Sequence, residues 1–166
     1  MERTALQLQE RLTRRLPEAL GAGVPGIGVA LLAGPEVVWA AAVGVADAAT
    51  GAPLTPASVF EGASLSKPVF ACAVLRLWEA GVLDLDRPLS DYLPAPYLPD
   101  EPRLPLITAR HVLAHRTGFP NWRGRGRPLV LGAPPGARFG YSGEGYVYLQ
   151  RAVEHLVGAP LHEVVA

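Results

Sequence analysis

Residues 64–80, SLSKPVFACAVLRLWEA, form a helical pattern that is apolar nearly all the way round. Val69, Phe70, Ala73, Val74, Leu77 and Trp78 recur at helical spacing. Ala71, Cys72 and Leu75 fill most of the other side, and only Arg76 and Glu79 are clearly polar. A helix of that kind is a buried one, so the fold has to enclose this segment, with Cys72 simply part of the core. Pro68 falls in the first turn, where a missing N–H costs little, and Gly81 is the natural stop. The chain has 166 residues, 49% apolar and 18% charged. That suits one ordinary domain able to bury roughly 70% of its unfolded surface, and it excludes a disordered chain.

The other elements arrange themselves around this helix. Leu8, Leu12 and Leu16 stand four apart, which predicts an N-terminal amphipathic helix within 1–20, stopped near Pro17. A linker is expected at 21–25. GIGVALLA (26–33) and EVVWAAAVGV (36–45) are β-rich runs on either side of Gly34-Pro35, which predicts an antiparallel hairpin over 26–45. Residues 46–63 are turn-rich, and Thr55-Pro56 reads as the start of a helical turn. Gly (18) and Pro (17) exceed a fifth of the chain, so rigid loops are numerous, as in the five-proline stretch 93–106. Thr108 can cap a short helix to His115. The long loop from Arg116 to Gly140 suits an active-site wall. A second amphipathic helix is expected within 141–157, with Gly158 as its stop, and Pro160 opens another that reaches the last residue. The class is α+β, with helices on an antiparallel sheet. An isolated hairpin is marginal in water, so the sequence reads as the first part of a larger domain whose C-terminal strands are missing.

Charge excludes several functions. Basic and acidic residues number 15 each, so no net charge draws the chain to nucleic acid or to an anionic membrane. One cysteine makes neither an internal disulfide nor a thiolate zinc site. No apolar run approaches the ~20 residues of a membrane span. The first twenty residues lack the apolar stretch of an export signal, which makes cytoplasmic the default reading.

Of the fifteen basic residues, fourteen are Arg and one, Lys67, is Lys. Base-composition bias explains the arginines, but only an amine can be tuned to lose its proton near neutral pH. Lys67 closes a Ser64-Leu65-Ser66-Lys67 sequence at the start of the apolar helix. Residues three apart share a helix face, so the Ser64 hydroxyl and the Lys67 amine can meet. The helix N-terminus favours a developing oxyanion, and a buried flank favours the neutral, basic amine that a serine nucleophile needs. The plainer reading is a Ser cap beside a solvated Lys.

The stretch FEGASLSKPVFACAVLRLWEAGVLDLDRPLSDYLP (60–94) resembles the nucleophile region of the serine β-lactamase and penicillin-binding-protein family. The nearest flavour is its class C β-lactamase, D-alanyl-D-alanine carboxypeptidase and esterase branch. HVLAHRTGFP (111–120) resembles the following helix and loop, and FGYSGEGYVYLQ (139–150) the region of the Tyr-x-Asn motif. The resemblance implies a β-lactamase/transpeptidase-like fold. It also implies a cofactor-free, metal-free acyl-serine mechanism on a small-molecule β-lactam, D-amino-acid peptide or carboxylic ester. Ser64 becomes the acylated nucleophile and Lys67 its partner base. Tyr141 becomes the proton shuttle, a role for a phenol of ordinary pKa about 10 only beside a cation.

Two departures matter. Gly143 stands where the family has the Asn that binds substrate, which favours an ester. The third motif, Lys-Thr-Gly or His-x-Gly, is not among these residues, and loss of one oxyanion donor alone costs about 3–4 kcal/mol. The expectation is a truncated, weakly active or inactive hydrolase. The alternative is a non-catalytic fragment or binding module that needs a complementary C-terminal segment, or that self-associates through an exposed sheet edge.

Other motifs read as structural. His111 and His115 are four apart but lack a Glu at 112 and nearby thiolates, so ordinary helix-face or loop contacts are expected rather than a metal. Ser142 departs from the G-x-S-x-G elbow and reads as a helix cap. Arg123, Arg125 and Arg127 read as a solvated loop rather than a nucleic-acid contact.

Overall fold

The computed structural model describes residues 2–20 and 23–165, so part of the 21–25 linker lies outside the described residues. The chain divides into two compact units, Met1–Glu61 and Gly62–Ala166.

The first unit contains α1 (Glu2–Leu20), β1 (Gly26–Ala33), β2 (Glu36–Asp47) and the short β3 (Ala52–Pro53). The strands form an antiparallel sheet in the order β1-β2-β3, so β3 supplies a third strand beyond the expected hairpin. Ala33 pairs with Glu36 across Gly34-Pro35, and Gly34 has φ +63°. Pro35 cannot take positive φ, so the two-residue turn is of the II′ kind, whose twist suits a hairpin. Gly26 pairs with Gly44, and a Cβ on Gly44 would lie 2.3 Å from the Pro25 carbonyl oxygen. Helix α1 runs through Pro17 instead of stopping there. Leu16, a buried residue of that helix, directly precedes the proline, and Leu20 beyond it lies over Gly44. Packing on the sheet outweighs the one helical hydrogen bond that the ring removes.

The second unit holds α2 (Ser66–Glu79), α3 (Ala109–Leu113), α4 (Gly143–Val157) and α5 (Leu161–Val164), with 3₁₀ turns at Ala63–Leu65, Leu89–Tyr92 and Leu104–Leu106. Its core gathers Phe70 and Val74 of α2, Val112 of α3, and Tyr148, Leu149 and Val153 of α4 around Leu83, Leu89 and Ile107. The extended segments are stitched by an isolated bridge between Pro88 and Thr108 and by Leu89 N–H to the Ile107 carbonyl (2.9 Å). Thr108 caps α3 by accepting from the His111 N–H, and Gly158 ends α4 in the left-handed conformation. Thr55-Pro56 starts a turn closed by Ser58 N–H on the Thr55 carbonyl, and no helix follows.

The enclosed central helix is not what the structure shows. Only Phe70 and Val74 of α2 are buried, whereas Val69 (54% exposed), Leu75 (40%) and Trp78 (48%) face outward. Cys72 is exposed as well, not core. One face of α2 meets the apolar core of this unit, and among the described residues of the unit nothing covers the opposite face. No helix among the described residues is long and apolar enough to cross a membrane.

Candidate active site

Ser64 lies in the 3₁₀ turn that leads into α2, and the turn is entered through a strained residue. Ala63 has φ +42°, in the region that side chains with a Cβ avoid. Its carbonyl accepts from Ser66 Oγ at 2.6 Å, which holds the turn closed. The Ser64 hydroxyl therefore stands exposed on the rim, and Lys67, half-buried one turn on, places Nζ 3.1 Å from Ser64 Oγ. Both flanking residues, Leu65 and Val69, are exposed, so the buried flank expected for Lys67 is absent.

Aromatic rings surround the amine. Lys67 Nζ lies 5.1 Å from the Tyr141 ring centroid, 5.6 Å from Tyr146 and 5.8 Å from Trp122. Cation–π attraction holds an ammonium among such rings. The structure thus brings Ser64, Lys67 and Tyr141 together from two distant parts of the chain. Hydrogen bonding to Ser64 first, and then to Lys67, holds the Tyr141 phenol below its ordinary value of 10, with burial opposing.

His115, expected from the sequence to make only a structural contact, contributes to the site. It follows α3 with φ +53°, and its ring stacks on Tyr141 with centroids 4.5 Å apart and planes at 28°. Its Nδ1 accepts the Ser142 N–H at 3.1 Å, and its carbonyl accepts the Gly140 N–H at 2.8 Å. Tyr141 is held from both flanks by one residue. An accepting Nδ1 requires the neutral ring with its proton on Nε2. Burial, and then the charge of Lys67, lower the His115 pKa in agreement. The other histidine of the pair, His111, places Nδ1 against the Thr108 N–H and hydroxyl (both 3.4 Å) at the cap of α3.

Ser142 caps α4: its Oγ accepts from Gly145 N–H and donates to the Pro120 carbonyl, both at 2.9 Å. Two residues on, the buried Glu144 carboxylate accepts from the Tyr97 hydroxyl and from Arg123 Nη2 (2.8 Å). Arg123 is thus an ion-pair partner rather than a solvated loop residue. Burial and the Glu144 carboxylate push the Tyr97 phenol up to about 12. These contacts fix the 116–140 loop to α4, helped by Leu129 and Leu131 in the core. A depression of about 170 Å³ beside the amine is lined by Lys67, Phe70, Trp122, Gly143 and Tyr146, among others. Another of about 280 Å³ borders Tyr141, with Phe119 and Arg138 in its wall. A larger one, about 630 Å³ and lined by Asp84, Arg87 and His155, contains none of these groups.

An antiparallel sheet carrying a helix, followed by helices that bring a Ser-x-x-Lys turn against a tyrosine, defines a recognisable class. The chain belongs to the Beta-lactamase family, which it matches over residues 8–166. Among individual relatives, it is 34% identical over 116 residues to the serine beta-lactamase-like protein LACTB, mitochondrial, of Mus musculus, covering 69% of this chain and 21% of that protein. It is 40% identical over 89 residues to esterase EstB of Burkholderia gladioli, covering 52% and 22%. Its structure resembles D-amino acid amidase from Ochrobactrum anthropi SV3 with a TM-score of 0.79 and 26% identity, over 95% of this chain and 47% of the amidase. The chain spans less than half the length of each of these relatives. The fold is that of the β-lactamase and transpeptidase proteins, in part.

Proposed function

We propose that this chain carries out acyl transfer to Ser64, with a carboxylic ester as the favoured substrate class. The observation that carries the reading is the 3.1 Å contact between Lys67 Nζ and Ser64 Oγ beside the Tyr141 ring. Ser64 Oγ forms a bond to the ester carbonyl carbon as its proton passes to the Tyr141 phenolate, which the Lys67 cation favours. The carbonyl oxygen becomes an oxyanion, for which the Ser64 N–H is the donor. As the carbonyl re-forms, the carbon–oxygen bond to the alcohol breaks. The leaving alkoxide takes a proton relayed by Tyr141. Water then repeats the sequence on the acyl-serine, releasing the acid and restoring Ser64. Gly143 favours an ester because it offers no side-chain amide to an amide substrate.

A second reading rests on a different observation, the uncovered apolar face of α2. This sequence holds neither a Lys-Thr-Gly nor a His-x-Gly triplet. A complementary segment that covers Val69, Leu75 and Trp78 would also supply the wall and the second oxyanion donor, so that the 166 residues alone react slowly or not at all. Intact-mass spectrometry after incubation with a fluorophosphonate, and separately with a penicillin, tests both readings. An adduct that Ser64→Ala removes supports acyl transfer. A folded chain that takes no adduct supports the incomplete form.

A further inference from the structure

The loop that walls the site is one-sided in charge. Residues 116–143 carry five arginines, Arg116, Arg123, Arg125, Arg127 and Arg138, and no Asp or Glu. A chain of zero net charge therefore still presents a basic surface at one place. Arg123 is paired with Glu144 (2.8 Å), whereas Arg125, Arg127 and Arg138 are exposed and have no acidic partner among the described residues.

The same loop holds large apolar side chains in the open. Trp122 is 63% exposed, Val130 62% and Phe139 69%. They are not scattered. The Trp122 ring centroid lies 5.8 Å from Lys67 Nζ, and Val130 and Arg138 line the depression that borders Tyr141. The Phe139 ring stands 5.8 Å from that of His115, which stacks on Tyr141. Trp122 is also presented from a fixed base. Ser142 Oγ donates to the Pro120 carbonyl (2.9 Å), Glu144 N–H to the Asn121 carbonyl (3.0 Å), and Gly143 N–H to Asn121 Oδ1 (3.1 Å). Exposed apolar groups gathered around a site, with unpaired guanidinium groups among them, mark an interaction surface. Their chemistry selects the partner. A nucleic acid would engage the arginines but offers no acyl layer to Val130. An anionic lipid surface meets both needs, because its phosphates attract guanidinium groups while aromatic rings settle at the headgroup boundary.

We infer that the 116–140 loop docks the protein on an anionic lipid surface. Trp122, Val130 and Phe139 enter the headgroup boundary, and Arg125, Arg127 and Arg138 pair with phosphates. Docking in this pose sets the exposed Ser64 hydroxyl at that boundary. The binding itself does not depend on the acyl-transfer reading.

The test is flotation of the 166-residue chain with vesicles of phosphatidylcholine alone and of three parts phosphatidylcholine to one part phosphatidylglycerol. The chain should float with the anionic vesicles at low salt, and little with neutral vesicles or at high salt. Arg125→Gln combined with Arg127→Gln should lower the partition coefficient roughly fivefold for each arginine removed. Circular dichroism checks that this variant is folded. Brominated lipid should quench the tryptophan fluorescence of the parent, and Trp122→Phe should remove most of that quenching. Ser64→Ala should bind like the parent, which separates docking from acyl transfer. Equal flotation with both vesicle types, or parental binding in the double variant, overturns the inference. Quenching that survives in Trp122→Phe assigns the contact to another face, such as that of Trp78 on α2, and overturns it too. So does a chain that sediments as a dimer which Phe139→Ser disperses, because a second copy then covers the loop. No flotation with either vesicle overturns docking alone, and labelling of Ser64 remains the separate measure of acyl transfer.

Discussion

At the scale of single residues, the site is a set of titrating groups with opposite displacements. Tyr141 is held below the ordinary phenol value by Ser64 and Lys67, whereas burial raises Tyr97, Tyr146 and Tyr148. Ultraviolet titration at alkaline pH should show Tyr141 ionising ahead of those three, and Tyr141→Phe should remove the early step. An unchanged first step in that variant would show that Lys67 and Ser64 do not act on the phenol. His115 gives a second signature. Its folded pKa lies below the ordinary histidine value of 6.5, so below that pH the unfolded chain binds a proton that the folded chain refuses. Stability from this group is complete above pH 6.5 and is lost as pH falls toward the folded value. The carboxylates held low by their partners, Asp47, Asp86 and Glu101, lose their contributions only below about pH 4.5. Thermal melts should therefore show a distinct decline just below pH 6.5 that is absent in His115→Phe, which keeps a ring against Tyr141. The buried Tyr148 hydroxyl has no partner among the described residues, so Tyr148→Phe should leave stability unchanged or raise it by about 1 kcal/mol in urea unfolding.

At the scale of elements, local patterns were legible and long-range ones were not. Ser64 and Lys67 sit three apart at a helix start, and that spacing alone brings them together. The caps at Thr108 and Ser142 and the stop at Gly158 are equally local. His115 reaches Ser142 across 27 residues, and Asn121 reaches Gly143 across 22. Periodicity carries no trace of either contact, although both residues fall within or next to the HVLAHRTGFP stretch. The turn that presents Ser64 has its own test. Ala63 already bears the cost of positive φ, about 1–2 kcal/mol, and a β-branched side chain raises it. Ala63→Val should lose a further 1–2 kcal/mol or so of stability and slow Ser64 labelling by fluorophosphonate, whereas Ala63→Gly should keep both. Equal labelling by all three proteins would mean that the geometry of this turn does not position the nucleophile.

At the scale of the whole molecule, the sequence reading failed where it inferred burial from composition. The apolar circumference of 64–80 states which faces a helix can bury, but the number of packing partners decides which faces it does bury. In this chain α4 and the loops cover Phe70 and Val74, while Leu65, Val69, Cys72 and Leu75, spaced by three or four, remain open. Such a stripe matches the surface that a covering segment needs, and Cys72 is a reporter within it. In the folded chain at low concentration, the Cys72 thiol should react with Ellman's reagent nearly as fast as in urea. Leu75→Lys should change stability by less than about 0.5 kcal/mol, as expected of a surface position. Any condition that slows the thiol should move the sedimentation coefficient in parallel and restore fast reaction in Leu75→Lys, because a charge cannot be buried there without a partner. A thiol that is already slow in the dilute monomer would place α2 inside the core after all. The uncovered face, and with it the reading of a chain that needs a complementary segment, would then be abandoned.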